Sequence, residues 1–279
     1  MMNTARYQTL ITAADLHALA PDKRLLIDVG FDLADTAAGE RAYAAGHLPG
    51  AHYLHLDRDL SAAKTGANGR HPLPDRAAFA TKMAALGLST DTQVIAYDAQ
   101  GGMYAARLWW MLRWLGHATV AVLDGGQAAW TDPLTADLPV AKAGDFKLGA
   151  PRVAQVDAAG LRALLGQVRL IDARAPERFR GEVEPLDAQA GHIPGASNRP
   201  FKSNLACDGR FKPADQLKAE FNVLLGAHAP TTAVHSCGSG VTACHNLLAM
   251  EHAGLVGSAL YPGSWSEWSS DLLRPVAKG

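Results

Sequence analysis

The chain repeats itself. Leu26-Ile27-Asp28-Val29 returns as Leu170-Ile171-Asp172-Ala173, and Ala45-Gly46-His47-Leu48-Pro49-Gly50-Ala51 returns as Ala190-Gly191-His192-Ile193-Pro194-Gly195-Ala196. Asp124-Gly125-Gly126-Gln127-Ala128-Ala129-Trp130 has its echo in Pro262-Gly263-Ser264-Trp265-Ser266-Glu267-Trp268. Asp172 follows Asp28 by 144 positions, His192 follows His47 by 145 and Trp268 follows Trp130 by 138. A near-constant offset of this size means duplication of a whole domain, with small insertions and deletions, and not a solenoid of short repeats. The 279 residues therefore divide into two domains of ordinary size. They are expected at 1–140 and 150–279, joined by a linker near Pro133 to Pro151, where Pro139, Gly144 and Gly149 interrupt any periodicity.

Within each copy, short apolar runs alternate with helical stretches. Leu25 to Val29, Val94 to Tyr97 and Val120 to Leu123 read as strands in the first copy, and Ala105, Leu108, Trp109 and Leu112 mark a helix between the last two. The second copy offers Val168 to Asp172, Thr232 to Ser236 and Ala259 to Tyr261. The alternation predicts an α/β fold in each copy, a mostly parallel sheet flanked by helices. Ligands bind such sheets at the carboxyl ends of the strands.

Cys237 stands at one of those ends, opening the run Cys237-Gly238-Ser239-Gly240-Val241-Thr242-Ala243. Beyond it Val241, Cys244, Leu247 and Leu248 recur at helical spacing. A thiol on a tight Gly-rich turn meets converging backbone N–H groups and a helix N-terminus, which stabilises a nearby anion by about 0.3–1 kcal/mol, or ~2 when partly buried. That setting favours the thiolate, which is the nucleophile, and suits a second, negatively charged sulfur carried on it. The run itself supplies no histidine base. His235 shares a strand face with Cys237 but reads more readily as a core histidine. Aligning Val94-Ile95-Ala96-Tyr97-Asp98 with Ala233-Val234-His235-Ser236-Cys237 puts Asp98 where the nucleophile would be, so the first copy is expected to be non-catalytic.

Twenty-six basic and 27 acidic residues leave a formal charge of −1. That provides no electrostatic footprint for nucleic acid or for an anionic membrane. Met1 to Tyr7 holds no apolar run, so no secretory signal is visible, and no stretch has the length of a membrane span. Three unpaired cysteines argue against a disulfide framework and fit a reducing cytoplasm. Cys237, Cys244 and His245 lack zinc spacing, and no cofactor or metal is expected. Asp28, Asp172, His47 and His192 occur in both copies and are read as structural. Cys244 falls on the helix's apolar stripe as a core thiol, Cys207 lies in a loop with no assigned role, and Trp265 and Trp268 read as core aromatics.

The Gly-His-Ile-Pro-Gly-Ala element, the Asp-Gly-Gly element and the cysteine loop, in that order across essentially the whole chain, resemble the rhodanese family of sulfurtransferases in its two-domain form. The loop Cys-Gly-Ser-Gly-Val-Thr-Ala is similar to that of the 3-mercaptopyruvate branch. In the thiosulfate-preferring branch basic residues follow the cysteine, where this chain has Gly238 and Ser239. The resemblance implies that Cys237 accepts a sulfur as a persulfide in two half-reactions, cradled by the main chain of Gly238, Gly240, Val241 and Thr242, with Thr242 also capping the helix. It implies that Arg178, in Pro176-Glu177-Arg178-Phe179-Arg180-Gly181, binds the donor's carboxylate through its two-pronged guanidinium. The branch usually carries a second arginine after the Glu-Pro pair, and here Leu186 follows Glu184-Pro185. Either Arg180 or Arg199 replaces it, or the grip on the carboxylate is weaker. Ser239 resembles a loop serine that works with a histidine and an aspartate from the first domain. His71, in Gly69-Arg70-His71-Pro72, fits the histidine, and Asp59, with Asp57 as rival, the carboxylate. Tyr104 either walls the cleft or packs in the core.

The expected partners are a small sulfur donor and a thiol or cyanide acceptor, with a thioredoxin-like protein as a further acceptor. Three rivals stand beside this reading. A cysteine phosphatase needs an arginine six positions after the nucleophile, and position 243 is Ala. A non-catalytic carrier would pass the persulfide to a protein partner. A thiosulfate:cyanide sulfurtransferase differs in donor alone.

Overall fold

The computed structural model describes residues 6–279, so that residues 1–5 of the segment read for a secretory signal lie outside it. The chain folds as two compact units that do not simply follow the sequence. The first comprises residues 6–61, 74–152 and 207–210, and the second 62–73, 153–206 and 211–279. The crossing at 152/153 falls just past the expected linker. The excursion of 62–73 into the second unit is invisible to a repeat-based boundary, because those residues lie in the middle of the first copy.

The first unit runs β1 (Leu10–Ile11), α1 (Ala13–Ala18), β2 (Arg24–Asp28), α2 (Ala38–Ala45), β3 (His52–Tyr53), α3 (Arg76–Ala85), β4 (Gln93–Tyr97), α4 (Ala105–Trp114) and β5 (Val120–Leu123). Its five strands are parallel, in the order β1-β5-β4-β2-β3. Helices cover both faces, so β4 is buried at every position, which explains its continuous rather than alternating apolar character. Side chains start the helices where the backbone leaves N–H groups unpaired: Thr12 Oγ1 accepts from the Asp15 N–H ahead of α1, and Asp75 from the Ala78 N–H ahead of α3.

The second unit repeats the plan with β6 (Ala154–Gln155), α5 (Ala158–Leu164), β7 (Arg169–Asp172), α6 (Pro176–Phe179), β8 (Ser197–Asn198), α7 (Ala214–Leu225), β9 (Ala233–Ser236), α8 (Ala243–His252), β10 (Ala259–Leu260) and α9 (Ser264–Trp268). Its sheet order, β6-β10-β9-β7-β8, is the first unit's order copied, again all parallel. The strands read from the sequence recur within a residue or two; Thr232 ends a 3₁₀ turn over Pro230–Thr232 instead of opening β9. The register also supports the internal alignment. Asp28 of β2 pairs with Tyr97 of β4, and Asp172 of β7 pairs with Ser236 of β9, so the next residues, Asp98 and Cys237, occupy equivalent places.

Each unit has its own core. Leu16, Leu26, Leu48, Ile95, Tyr97 and Leu123 pack together in the first, and Leu161, Leu170, Val234, Tyr261, Trp265 and Trp268 in the second. The stretch read as a linker is pinned to the first unit. Thr135 pairs with His47, and the N–H groups of Gly144, Phe146 and Gly149 donate to the carbonyls of Ala84, Leu88 and Leu115.

Candidate active site

Strand β9 ends at Ser236 and the chain turns sharply through Cys237, which is 1% exposed. The turn depends on glycine. Gly240 has φ +74°, and a Cβ there would lie 2.2 Å from the Pro262 carbonyl oxygen. The turn from Pro262 into α9 holds the loop through three bonds. Ser264 Oγ accepts from the Cys237 N–H (3.0 Å), the Trp265 N–H donates to the Cys237 carbonyl (2.9 Å), and the Ser266 N–H donates to the Gly238 carbonyl (2.8 Å). Ser264 does this at φ +53°, the one positive φ among the described residues other than glycines, which is backbone strain beside a reactive group. The Gly240 N–H donates to Cys237 Sγ at 3.1 Å, and the Cys244 thiol donates to the Gly240 carbonyl at 3.3 Å. Cys244 thus props the loop from within α8. Thr242 occupies the residue before α8, but its side chain makes no capping bond. The expected hydroxyl cap is not formed, because Thr242 already has helical backbone angles, whereas a capping residue is ordinarily extended.

Segment 62–73 of the second unit brings two side chains to this loop. His71, 3% exposed, places Nδ1 2.7 Å from Ser239 Oγ, and Ser239 is itself 6% exposed. The neighbouring Arg70 is anchored by its main-chain N–H, which donates to Ser266 Oγ at 3.0 Å. Its guanidinium lies over the loop: a Cβ on Gly238 would sit 2.8 Å from Arg70 Nη2 and 3.6 Å from Arg178 Nη1. Gly238 after Cys237 leaves room for the Arg70 guanidinium to lie this close to the loop. Two cations therefore face a loop whose own sequence is neutral.

Both arginines are held from behind by carboxylates. Arg178 Nη2 donates to Glu184 Oε1 (2.7 Å) and Asp187 Oδ2 (3.1 Å), and Arg70 Nη1 donates to Asp187 Oδ1. Arg174 lies deeper, donating to Asp172, Glu184 and the Gly191 carbonyl, with its guanidinium 4.8 Å from the Trp265 ring centre. Asp187 and Glu184 side chains are each 3% exposed. Burial pushes the Asp187 carboxyl above the usual carboxylate range, against the pull of Arg70 and Arg178.

The structure therefore gathers Cys237, Gly238, Ser239, Gly240, Arg178 and His71. Val241 and Thr242 continue the same loop, whereas Arg180 and Arg199 of the second unit are held by other partners. Arg180 pairs with Glu182 on the surface, and Arg199 donates to Asn204 and Glu220 with its guanidinium over Phe221. Neither is seen touching the Cys237 loop. In the first unit Asp59 accepts from Lys82 Nζ and from the His55 N–H, and the rival Asp57 donates its N–H to His55 Nδ1. Tyr104 is buried edge-on against Phe31, as a core residue would be. His235 is fully buried beside Met250 Sδ, and burial pushes its imidazole down to about 3, which makes it a neutral core histidine. Among the described residues no group of three or more His, Cys, Asp or Glu is arranged to hold a metal ion. Sequence reasoning missed Arg70, Asp187 and Ser264. Arg70 sits in the same Gly-Arg-His-Pro run that was read for its histidine, which was the available signal.

Comparison with known proteins agrees with this architecture. The rhodanese-like domain family matches residues 12–133 and 157–271, once per unit, and the chain belongs to the rhodanese family in its tandem form. It is 50% identical over 278 residues to a probable 3-mercaptopyruvate sulfurtransferase of Pseudomonas aeruginosa, covering 97% of this chain and 98% of that one. It is 41% identical over 292 residues to a putative thiosulfate sulfurtransferase, SseB, of Mycobacterium tuberculosis, covering 99% of each. Among solved structures it resembles the 3-mercaptopyruvate sulfurtransferase of Leishmania major (TM-score 0.79, 31% identity, 96% of this chain and 75% of that one). It also resembles SseA of Escherichia coli, described as a 3-mercaptopyruvate sulfotransferase (TM-score 0.78, 32% identity, 94% and 100%).

Proposed function

We propose that this sulfurtransferase moves a sulfane sulfur from 3-mercaptopyruvate to a thiol or cyanide through a persulfide on Cys237. The Cys237 thiolate attacks the donor's sulfur. A sulfur–sulfur bond forms, the donor's carbon–sulfur bond breaks, and its electron pair leaves as the enolate of pyruvate, which takes a proton to become pyruvate. An acceptor thiolate or cyanide then attacks the outer sulfur, and the Cys237 thiolate is regenerated. The main chain of Gly238 to Thr242 cradles the persulfide. Ser239, bonded to His71, polarises the ketone and serves the developing enolate with a proton.

One observation carries the choice of donor: Arg70 Nη2 and Arg178 Nη1 both face Gly238, one residue from the nucleophile. Two guanidinium edges beside a thiol fit a donor that carries its carboxylate close to its sulfur. Arg70 thus fills the role that the sequence reading sought in Arg180 or Arg199. The same two cations also suit thiosulfate, which is the second reading. No helix among the described residues is long and apolar enough to cross a membrane, and three free thiols fit a cytoplasmic setting with a thioredoxin-like or small-thiol acceptor. Steady-state assays with 3-mercaptopyruvate and thiosulfate, against one common acceptor, test the donor. A higher kcat/KM for 3-mercaptopyruvate is expected; a higher value for thiosulfate overturns the choice.

A further inference from the structure

Arg70 and Arg178 come from segments 108 positions apart in the chain, yet one carboxylate holds both. Asp187 Oδ1 accepts from Arg70 Nη1 and Asp187 Oδ2 from Arg178 Nη2, which leaves Arg70 Nη2 and the terminal nitrogens of Arg178 beside Gly238. Without that anchor two long, flexible side chains would each sample several rotamers. The second consequence is charge. Arg70, Arg174 and Arg178 stand against Asp172, Glu184 and Asp187, so the buried cluster behind the loop is formally neutral. A neutral cradle with two aimed donor edges accommodates one added negative charge far better than two, because a second buried charge has no partner left.

We propose that Asp187 is the specificity-determining residue of the site: by anchoring Arg70 and Arg178 and cancelling one of their charges, it selects monoanionic 2-oxo carboxylates over dianionic sulfur donors. The proposal rests on the reading of the site as a sulfur-donor pocket.

Asp187→Asn is the direct test. The amide keeps the shape, loses one acceptor and adds a net positive charge. The kcat/KM for 3-mercaptopyruvate is expected to fall roughly tenfold or more, on the scale of one lost charge-assisted hydrogen bond, while that for thiosulfate holds or rises. Asp187→Glu, which restores the charge, is expected to bring the ratio back toward that of the unaltered protein. A parallel fall for both donors, as a purely structural role requires, overturns the proposal. The unaltered protein supplies a readout independent of turnover and of the variant's folding. Pyruvate should protect Cys237 from alkylation at a concentration at least roughly tenfold below that of sulfate. Equal protection, or better protection by sulfate, overturns the proposal. An unaltered protein that pyruvate protects but that does not turn over 3-mercaptopyruvate contradicts the proposed function and leaves the charge selection standing.

Discussion

The loops after β4 and β9 are one structure put to two uses. In the first unit Asp98, 1% exposed, fills its own loop: Oδ1 accepts from the N–H groups of Gln100 and Gly102, and Oδ2 from those of Tyr104 and Ala105, at 2.8–2.9 Å. In the second unit the side chain at the same place is a thiol, with the Gly240 N–H on its sulfur. The closing turns match as well. The Gln127 N–H donates to the Asp98 carbonyl as the Trp265 N–H does to that of Cys237. Gly126 at φ +59° stands where Ser264 stands at +53°. Such a loop binds an anion by construction. The first unit fills its loop with the covalently attached carboxyl group of Asp98. In the proposed function the second leaves the same kind of loop to a charged sulfur that comes and goes, and a strained serine fixes the main chain of Cys237.

Breaking each loop in turn should give opposite results. Cys237→Ser is expected to lower sulfur transfer at least roughly a thousandfold with an unchanged circular dichroism spectrum; retained turnover would show that the thiol is not the carrier. Asp98→Ala leaves four N–H groups, three of them in buried bonds, without their acceptor and should destabilise the first unit by about 3 kcal/mol or more, read by urea unfolding. Sulfur transfer per folded molecule should stay near that of the unaltered protein, and a loss of turnover without loss of stability would refute the division of labour. Arg178→Lys keeps the charge but loses the fork, so the KM for 3-mercaptopyruvate should rise roughly tenfold with little change in Tm.

The smallest effect concerns the aspartates at the ends of β2 and β7. Asp172 is paired by Arg174, but the equivalent partner position in the first unit is Gly30, which offers Asp28 only an N–H. Burial, with Asp98 nearby, pushes the Asp28 carboxyl up to about 6, against the Gly30 N–H, Tyr97 and His47. The folded protein therefore holds this proton more tightly than the unfolded chain, and stability from this group is lost as pH rises from about 4 to about 6. Asp28→Asn should remove that slope and raise stability at pH 7 by about 1–2 kcal/mol, whereas Asp172→Asn, which takes from the buried Arg174 guanidinium one of its two carboxylate partners, should destabilise. Equal effects at the two sites would remove the distinction.

The fold was legible because duplication writes it twice: continuous apolar runs mark buried parallel strands, and the offsets identify equivalent turns. The candidate nucleophile Cys237 was legible because Gly238 and Gly240 mark a tight turn at the end of a strand. The proposed carboxylate grip was less so. Arg178 was reached through a local motif, but Arg70 arrives on a segment that leaves the first copy for the second unit, and neither spacing nor periodicity records that excursion. Asp187 carries no motif, and its meaning lies in the two guanidiniums it holds. Arg180 and Arg199 are as suitable in sequence as Arg178, and what separates them is place, since Arg70 and Arg178 lie beside Gly238.

The central claim is that Cys237 alone carries the sulfur. Incubating the protein with 3-mercaptopyruvate in the absence of acceptor, then mapping peptides by mass spectrometry, tests it most directly. The account predicts one added sulfur atom on the Cys237 peptide, removed by cyanide, and none on those of Cys207 or Cys244. No added sulfur, or sulfur on either of the other cysteines with Cys237 unmodified, would contradict it.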